Sequence, residues 1–186
     1  MPRRRFIFDP PERFVTGTIG EPGQRTFFIQ ARDGGRVVSV ALEKVQVAVL
    51  ADRLGQPLIE LENRGLAPEL EVTPAEHDLS PLDEPLNEAF RAGALTLGWD
   101  GEAERVLVEA RAESEDGEAI DPEDDDEADE DGPDLLRVRL TANAARDFVE
   151  RAVRVIASGR PPCPLCGQPL EATGHLCPRR NGHFVN

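Results

Sequence analysis

The feature that most constrains the fold of this 186-residue chain is an internal repeat of three short apolar stretches followed by a helical pattern. The copies match in pattern more than in identity: residues 14–20 with 90–96, 27–32 with 106–111, and 38–42 with 136–140. Self-similarity of this kind indicates that one structural unit occurs twice. A single unit would leave one face of its sheet uncovered, so we expect the two units to share one core.

Each copy has the pattern strand, turn, strand, turn, strand and helix. In the third stretch of each copy, apolar residues alternate with small or polar ones, which is typical of half-buried antiparallel strands. Residues suited to tight turns occur at 21–24 and 33–35 in the first copy and at 99–101 in the second. The predicted fold class is therefore α+β: duplicated β-β-β-α units forming one mainly antiparallel, β-rich core with two helices.

The helix of the second copy has the clearest periodicity in the chain. Thr141 is a suitable N-cap for it and Gly159 a suitable stop. Its apolar stripe consists of Ala145, Phe148, Val149, Ala152, Val153 and Ile156. The first copy has the shorter stripe Val47, Leu50, Ala51 and Leu54. We expect Gly55 and Pro57 to break or kink that helix.

The repeat divides the chain into four regions. Residues 1–61 form the first unit, 62–86 a proline-rich connector, 87–160 the second unit and 161–186 a C-terminal tail. Residues 113–134 contain 14 acidic residues and no basic ones, and without them the formal net charge of −15 falls to −1. This stretch lies between the second and third strands of the second unit, so we predict a disordered acidic insertion in a hairpin.

The C-terminal tail has the chemistry of a metal site. Cys163 and Cys166 can reach one tetrahedral ion from a tight turn, and Cys177 offers a third thiolate. His175 and His183 compete for the fourth position. His175 is favoured because a His-x-Cys pair can reach one metal from a single turn, whereas chain ends fray. We predict a structural zinc knuckle with the ligands Cys163, Cys166, His175 and Cys177, since four ligands leave no open position for catalysis.

Other signals are consistent with a cytoplasmic protein. The chain has no apolar run long enough for a membrane span or a signal-peptide core. Its three cysteines all lie in the tail, which does not suggest a disulfide framework. The sequence contains no motif for acyl transfer, kinase chemistry or dinucleotide binding. No catalytic residue and no organic cofactor are therefore predicted.

Two pairs of stretches carry a resemblance to a known family. Residues 8–20 with 23–32, and residues 163–167 with 174–182, resemble the start and the tail of an actinobacterial family of uncharacterised conserved proteins, a domain of unknown function. His175 belongs to the recurring part of the tail motif, which adds weight to it as a ligand. The resemblance implies a cytoplasmic protein, and it suggests a ParA-type chromosome-partition ATPase as a protein partner.

Three functions compete on the sequence alone. The favoured one is a non-enzymatic interaction or regulatory protein with a structural zinc site, because no catalytic constellation is visible. The alternative is an enzyme that binds an anionic small molecule at the seam between the repeats, through Arg25, Arg32 and Arg111. Nucleic-acid binding through Arg179 and Arg180 is disfavoured, because two arginines neutralise few phosphates.

Overall fold

Seven strands and two helices form the part of the chain that the structure describes. The structure is a computed structural model, and it describes residues 3–63, 78–113, 132–159, 163–166 and 177. The strands are β1 (Arg5–Phe8), β2 (Arg13–Ile19), β3 (Thr26–Asp33), β4 (Arg36–Leu42), β5 (Glu88–Asp100), β6 (Arg105–Ala112) and β7 (Leu135–Leu140). The helices are α1 (Lys44–Asn63) and α2 (Ala142–Ala157). Among these residues, no helix combines the length and apolar character that a membrane crossing requires.

The strands form one sheet in the order β1-β7-β6-β5-β4-β3-β2. Four of its six strand pairs are antiparallel, and the β4–β5 and β1–β7 pairs are parallel. Each helix directly follows the third strand of its unit. The predicted α+β class, with two β-β-β-α units and a mainly antiparallel sheet, is confirmed. The sequence analysis predicts no strand at β1.

The second and third strands of the two units pair in the same register. The pairs are Phe27 with Leu42 and Ala31 with Val38 in the first unit, and Val106 with Leu140 and Ala110 with Leu136 in the second. These are the correspondences that the sequence repeat predicts. The two-residue turn Gly34-Gly35 joins the strands in the first unit, and Gly34 has a φ of 56°, a conformation in which a side chain is strained.

The first strands correspond at a different position from the predicted one. Phe14 pairs with Ala31, and Leu95 pairs with Ala110. Phe14 therefore corresponds to Leu95, and its predicted match to Phe90 is wrong. Both phenylalanines begin similar apolar stretches, and only the pairing with the next strand fixes which residues are equivalent.

Phe90 instead corresponds to Phe8 of β1. Phe90 pairs with Val40 in β4, and Phe8 pairs with Val138 at the equivalent place in β7. The long strand β5 is thus represented in the first unit by β1 and β2, which residues 9–12 separate. Pro10 and Pro11 within that interruption have no N–H for a strand pair.

The sheet curls back on itself because its two edge strands are consecutive in the chain. Only four residues separate Phe8 at the end of β1 from Arg13 at the start of β2. Arg36, the first residue of β4, lies over the Phe8 ring at 4.9 Å from the ring centre. This curvature brings both units around a common core.

Both helices pack on the same core. Val47, Leu50 and Leu54 of α1 and Ala145 and Phe148 of α2 belong to one buried cluster with the inward residues of the strands. The Phe148 ring of the second unit stacks on the Phe14 ring of the first, with 4.9 Å between ring centres. The two units therefore share one core.

The helix ends differ in how well the sequence predicts them. Thr141 is the N-cap of α2, and its hydroxyl accepts a hydrogen bond from the Ala144 N–H at 3.1 Å, as predicted. Of the break or kink predicted at Gly55 and Pro57, a break does not occur, because α1 continues through both to Asn63. Leu58, just beyond the proline, is buried in the core, so tertiary packing stabilises the turn that local propensity disfavours.

The connector is anchored to β2 where the structure describes it, from Asp78 onward. The Arg13 side chain donates to the carboxylates of Asp78 at 2.5 Å and Asp83 at 2.9 Å. The Arg13 hydrogen bond lowers the pKa of Asp78 from 3.8 to about 2, against the opposing effect of burial. Leu82 packs directly above Gly17, where an added Cβ would lie 2.7 Å from the Leu82 side chain.

Candidate metal centre

The tail leaves the body at the C-terminal end of α2. Ser158 caps this end, and its N–H donates to the Arg154 carbonyl. Arg25, in the turn between β2 and β3, donates to both the carbonyl and the hydroxyl oxygen of Ser158 at 3.0 Å. A cation at a helix C-terminus is electrostatically favourable, so Arg25 fixes the place where the tail begins.

Three cysteine sulfurs converge in the tail. The Sγ atoms of Cys163, Cys166 and Cys177 all lie within 4.8 Å of one another, and Cys163 and Cys177 are buried. The Cys163 and Cys177 sulfurs are 3.9 Å apart, and all three thiols are free. Zinc–sulfur bonds of about 2.3 Å in a tetrahedron place two ligand sulfurs about 3.8 Å apart. The residues present therefore fit a tetrahedral thiolate-bound metal ion.

The local backbone favours the thiolate form of Cys163. Burial on its own would raise the pKa of this thiol. Hydrogen bonds from the backbone N–H groups of Cys166 and Leu165, and from the thiols of Cys166 and Cys177, outweigh that effect and lower the pKa. The Leu165 nitrogen lies 3.4 Å from the Cys163 sulfur. Donors aimed at a sulfur support metal binding, because the thiolate is the form that coordinates.

The fourth predicted ligand cannot be placed. His175 and its competitor His183 lie outside the described residues. The structure thus brings together three of the four predicted ligands, and His175 stays a prediction.

The arginines of the predicted seam site each have a partner within the chain. Arg25 holds Ser158, as described above. Arg32 forms an ion pair with Asp83 at 3.2 Å, and Arg111 with Glu109 at 3.2 Å. Arg111 and Glu109 are both buried. These contacts account structurally for arginines that the sequence analysis considered as anion ligands.

The sequence analysis missed the arginine that orders the connector from the helix side. Arg151 of α2 donates to the Thr16 carbonyl of β2 at 2.6 Å, to the Ser80 carbonyl at 2.7 Å and to the Asp78 carbonyl. Its partners are more than 70 positions away in the sequence, so no local pattern could have revealed them. The one sequence signal for it is Arg53, the arginine at the equivalent position of α1 in the first unit.

The fold and the cysteine cluster define a class of protein: an α+β chain with two β-β-β-α units and a C-terminal group of three cysteines that could hold a metal ion. A family model described as "Protein of unknown function (DUF3090)" matches residues 6–177. The chain belongs to this family. Comparison with curated proteins and with solved structures gives no match.

Proposed function

We propose that this protein is a non-enzymatic interaction or regulatory protein whose tail is folded by one structural zinc ion. The observation that carries the proposal is the convergence of the three cysteine sulfurs within 4.8 Å. Zinc is the metal that tetrahedral sites rich in thiolate select, and His175 completes the set of four ligands. A site with four protein ligands has no position for a substrate, so its role is to order the tail.

The charged groups of the folded body also support a non-enzymatic function. Arg13 and Arg151 order the connector, Arg25 caps α2, and Glu109 pairs with Arg111 and Arg137. Each of these charges therefore has a structural role. The protein partner remains a proposal drawn from the family resemblance, with a ParA-type ATPase as the named candidate and the cytoplasm as the expected compartment.

Metal analysis tests the zinc site directly. Freshly purified, untagged protein should contain one zinc per chain, and Cys163→Ser should lose it. His175→Ala should lose zinc whereas His183→Ala, the matched control, should keep it. The reverse result for the two histidines would make His183 the ligand, and a wild-type protein without zinc would refute the site.

Partner capture tests the interaction function. The full chain and Cys163→Ser should be compared as baits in the native host, followed by mass spectrometry. We expect a stoichiometric protein partner with the wild type, and a ParA-type ATPase is then tested with purified components. Turnover of an anionic small molecule by the purified chain, with no stable protein partner, would favour the enzyme alternative.

A further inference from the structure

Arg53 of α1 occupies the same place in the first unit as Arg151 does in the second. Both helices begin two residues after the third strand ends, at Lys44 after Leu42 and at Ala142 after Leu140. Counting from those ends places all three buried residues of α2 opposite buried residues of α1: Val47 with Ala145, Leu50 with Phe148, and Leu54 with Ala152. The same count matches Arg53 with Arg151.

In the second unit this arginine holds a segment of extended chain. Arg151 donates to the Thr16 carbonyl on the free edge of β2 and to the carbonyls of Asp78 and Ser80 in the connector. Its guanidinium also lies 3.6 Å from the Asp78 carboxylate. The side between α2 and β2 is therefore covered by the chain's own residues 78–80.

In the first unit no described residue covers the equivalent side. A groove of about 290 Å³ lies between α1 and β5. It is lined by Val45, Gln46, Val49, Leu50, Arg53, Gly93, Leu95 and Leu97. Leu97 corresponds to Thr16, since Thr16 pairs with Ile29 and Leu97 with Val108 at the matching positions of β3 and β6. Arg53 is exposed, and within the described part of the chain it makes no hydrogen bond or ion pair.

The strand edge beside this groove is unpaired as well. β5 pairs with β4 only through Glu88, Phe90 and Arg91. In the described part of the chain, residues 94–100 of β5 therefore pair with β6 alone. An unpaired strand edge presents N–H and C=O groups that an extended peptide can use.

The rim of the groove on α1 is apolar, whereas the matching positions of α2 are polar. Val45 is 65% exposed and Val49 is 46% exposed, whereas Asn143 and Asp147 occupy the matching positions of α2. The two exposed valines line the same groove as Leu95 and Leu97, and apolar side chains clustered at the surface mark an interaction site. Aliphatic side chains on the rim and Arg53 at its end complement a peptide with apolar residues next to a carboxylate.

We propose that the groove between α1 and β5 binds an extended segment of a partner protein, with Arg53 donating to its main-chain carbonyls as Arg151 does to residues 78–80. The segment carries an acidic residue for Arg53 and aliphatic residues for Val45, Val49 and Leu97. The internal connector is the template for this chemistry, since Asp78 and Leu79 are an acidic and an aliphatic residue in succession. The inference rests on the proposed interaction function and assigns it a surface.

A peptide selection on the full chain tests this surface. A phage-displayed library of random dodecapeptides is selected against the wild-type protein, and enriched peptides are titrated by fluorescence anisotropy. We expect acidic–aliphatic sequences whose affinity falls about tenfold or more with Arg53→Ala, because hydrogen bonds from a charged donor are lost. Arg154→Ala, an equally helical and exposed arginine that pairs only with Glu150 in the described chain, is the matched control and should change affinity less than twofold.

Several results would contradict the assignment of the groove as a peptide-binding site. Val49→Asp should also abolish peptide binding while the zinc content and the melting temperature stay unchanged, since Val49 lies at the surface. The proposal is overturned if no peptide is enriched, or if the enriched peptides bind both variants like the wild type. It is also overturned if light scattering finds a dimer that Val49→Asp converts to a monomer, because a second copy then fills the groove. Zinc content and partner capture by the wild-type chain are measured without reference to this groove, so a failed selection alone would leave the proposed function standing.

Discussion

Replacing Phe148 by alanine tests whether the two units form one core. The Phe148 side chain is 1% exposed, and its ring stacks on Phe14 of the other unit at 4.9 Å between ring centres. Removing a fully buried phenylalanine costs about 3–5 kcal/mol through lost burial and the cavity left behind. The substitution also removes the aromatic contact with Phe14, so we expect the loss of unfolding free energy to lie in the upper half of that range.

That loss is large compared with the stability of the whole protein. Domains unfold with about 5–15 kcal/mol, so a loss of about 4–5 kcal/mol from Phe148→Ala should remove about a quarter or more of it. For a chain of this length each kcal/mol lowers the melting temperature by about 2–4 °C, so we expect a drop of roughly 8–20 °C. Differential scanning calorimetry and urea unfolding both measure the change, and the slope of the urea curve shows whether the transition remains two-state.

Two further variants make the result specific. Leu50→Ala removes the counterpart of Phe148 in the first unit and should lower the same single transition by about 2–5 kcal/mol. Val153→Ala, on the exposed side of α2 at 56% exposure, should change stability by less than about 0.5 kcal/mol. Two separate transitions, each sensitive to only one of the buried substitutions, would refute the shared core.

The remaining predictions concern the acidic stretch, the connector and its contact with β2. Deleting residues 114–131 should leave the melting temperature within a few degrees, because the entropy of closing a loop depends only weakly on loop length. Asp78→Asn should lower stability at neutral pH by no more than about 1 kcal/mol, because the pair with Arg13 is partly exposed. Since folding lowers the pKa of Asp78, its stabilisation is present above pH 4 and is lost as the pH falls towards 2, so the wild type should lose more stability than the variant in that window. Gly17→Ala should destabilise by about 1–3 kcal/mol, measured by urea unfolding, because its Cβ would overlap Leu82.

Each of these predictions has an outcome that contradicts it. A collapse of the fold after the deletion would mean that the acidic stretch is packed. Identical acid unfolding curves for the wild type and Asp78→Asn would show that the ion pair between Arg13 and Asp78 does not stabilise the anchored connector. Gly35→Ala is the control for Gly17→Ala, since nothing lies within 4 Å of its added Cβ, and an equal loss in both would exclude the Leu82 overlap as the cause.

The structure corrects the ends of the acidic stretch that the composition defines. The sequence analysis gives it as residues 113–134, but both end residues are fixed by hydrogen bonds next to the strands. The Glu113 N–H donates to the Arg91 carbonyl at 3.0 Å, and Asp134 accepts from the backbone and the side chain of Arg4 at 2.8 Å. The Arg4–Asp134 contacts hold β1 beside β7, and the Glu113–Arg91 hydrogen bond joins the end of β6 to β5, so the deletion spares both residues. The prediction of disorder covers residues 113–134, of which 114–131 lie outside the described residues.

The sequence by itself determined the local elements and the cysteines of the candidate metal site. Alternation of apolar residues specifies β4 and β7, Thr141 specifies the start of α2, and the Cys-x2-Cys spacing brings Cys163 and Cys166 together. These features depend on residues within a few positions of one another. Short-range geometry therefore suffices to predict them.

Only the tertiary structure decided how the first strands align and what covers each unit. The match of Phe14 to Leu95 follows from pairing with β3 and β6, and β1 becomes a strand by pairing with β7 across 130 residues of chain. In the same way Arg151 and Arg53 are alike in sequence position, but Arg151 binds the carbonyls of Asp78 and Ser80, whereas Arg53 lines a groove that no described residue fills. Such contacts depend on long-range packing free energy, which no local pattern of residues encodes.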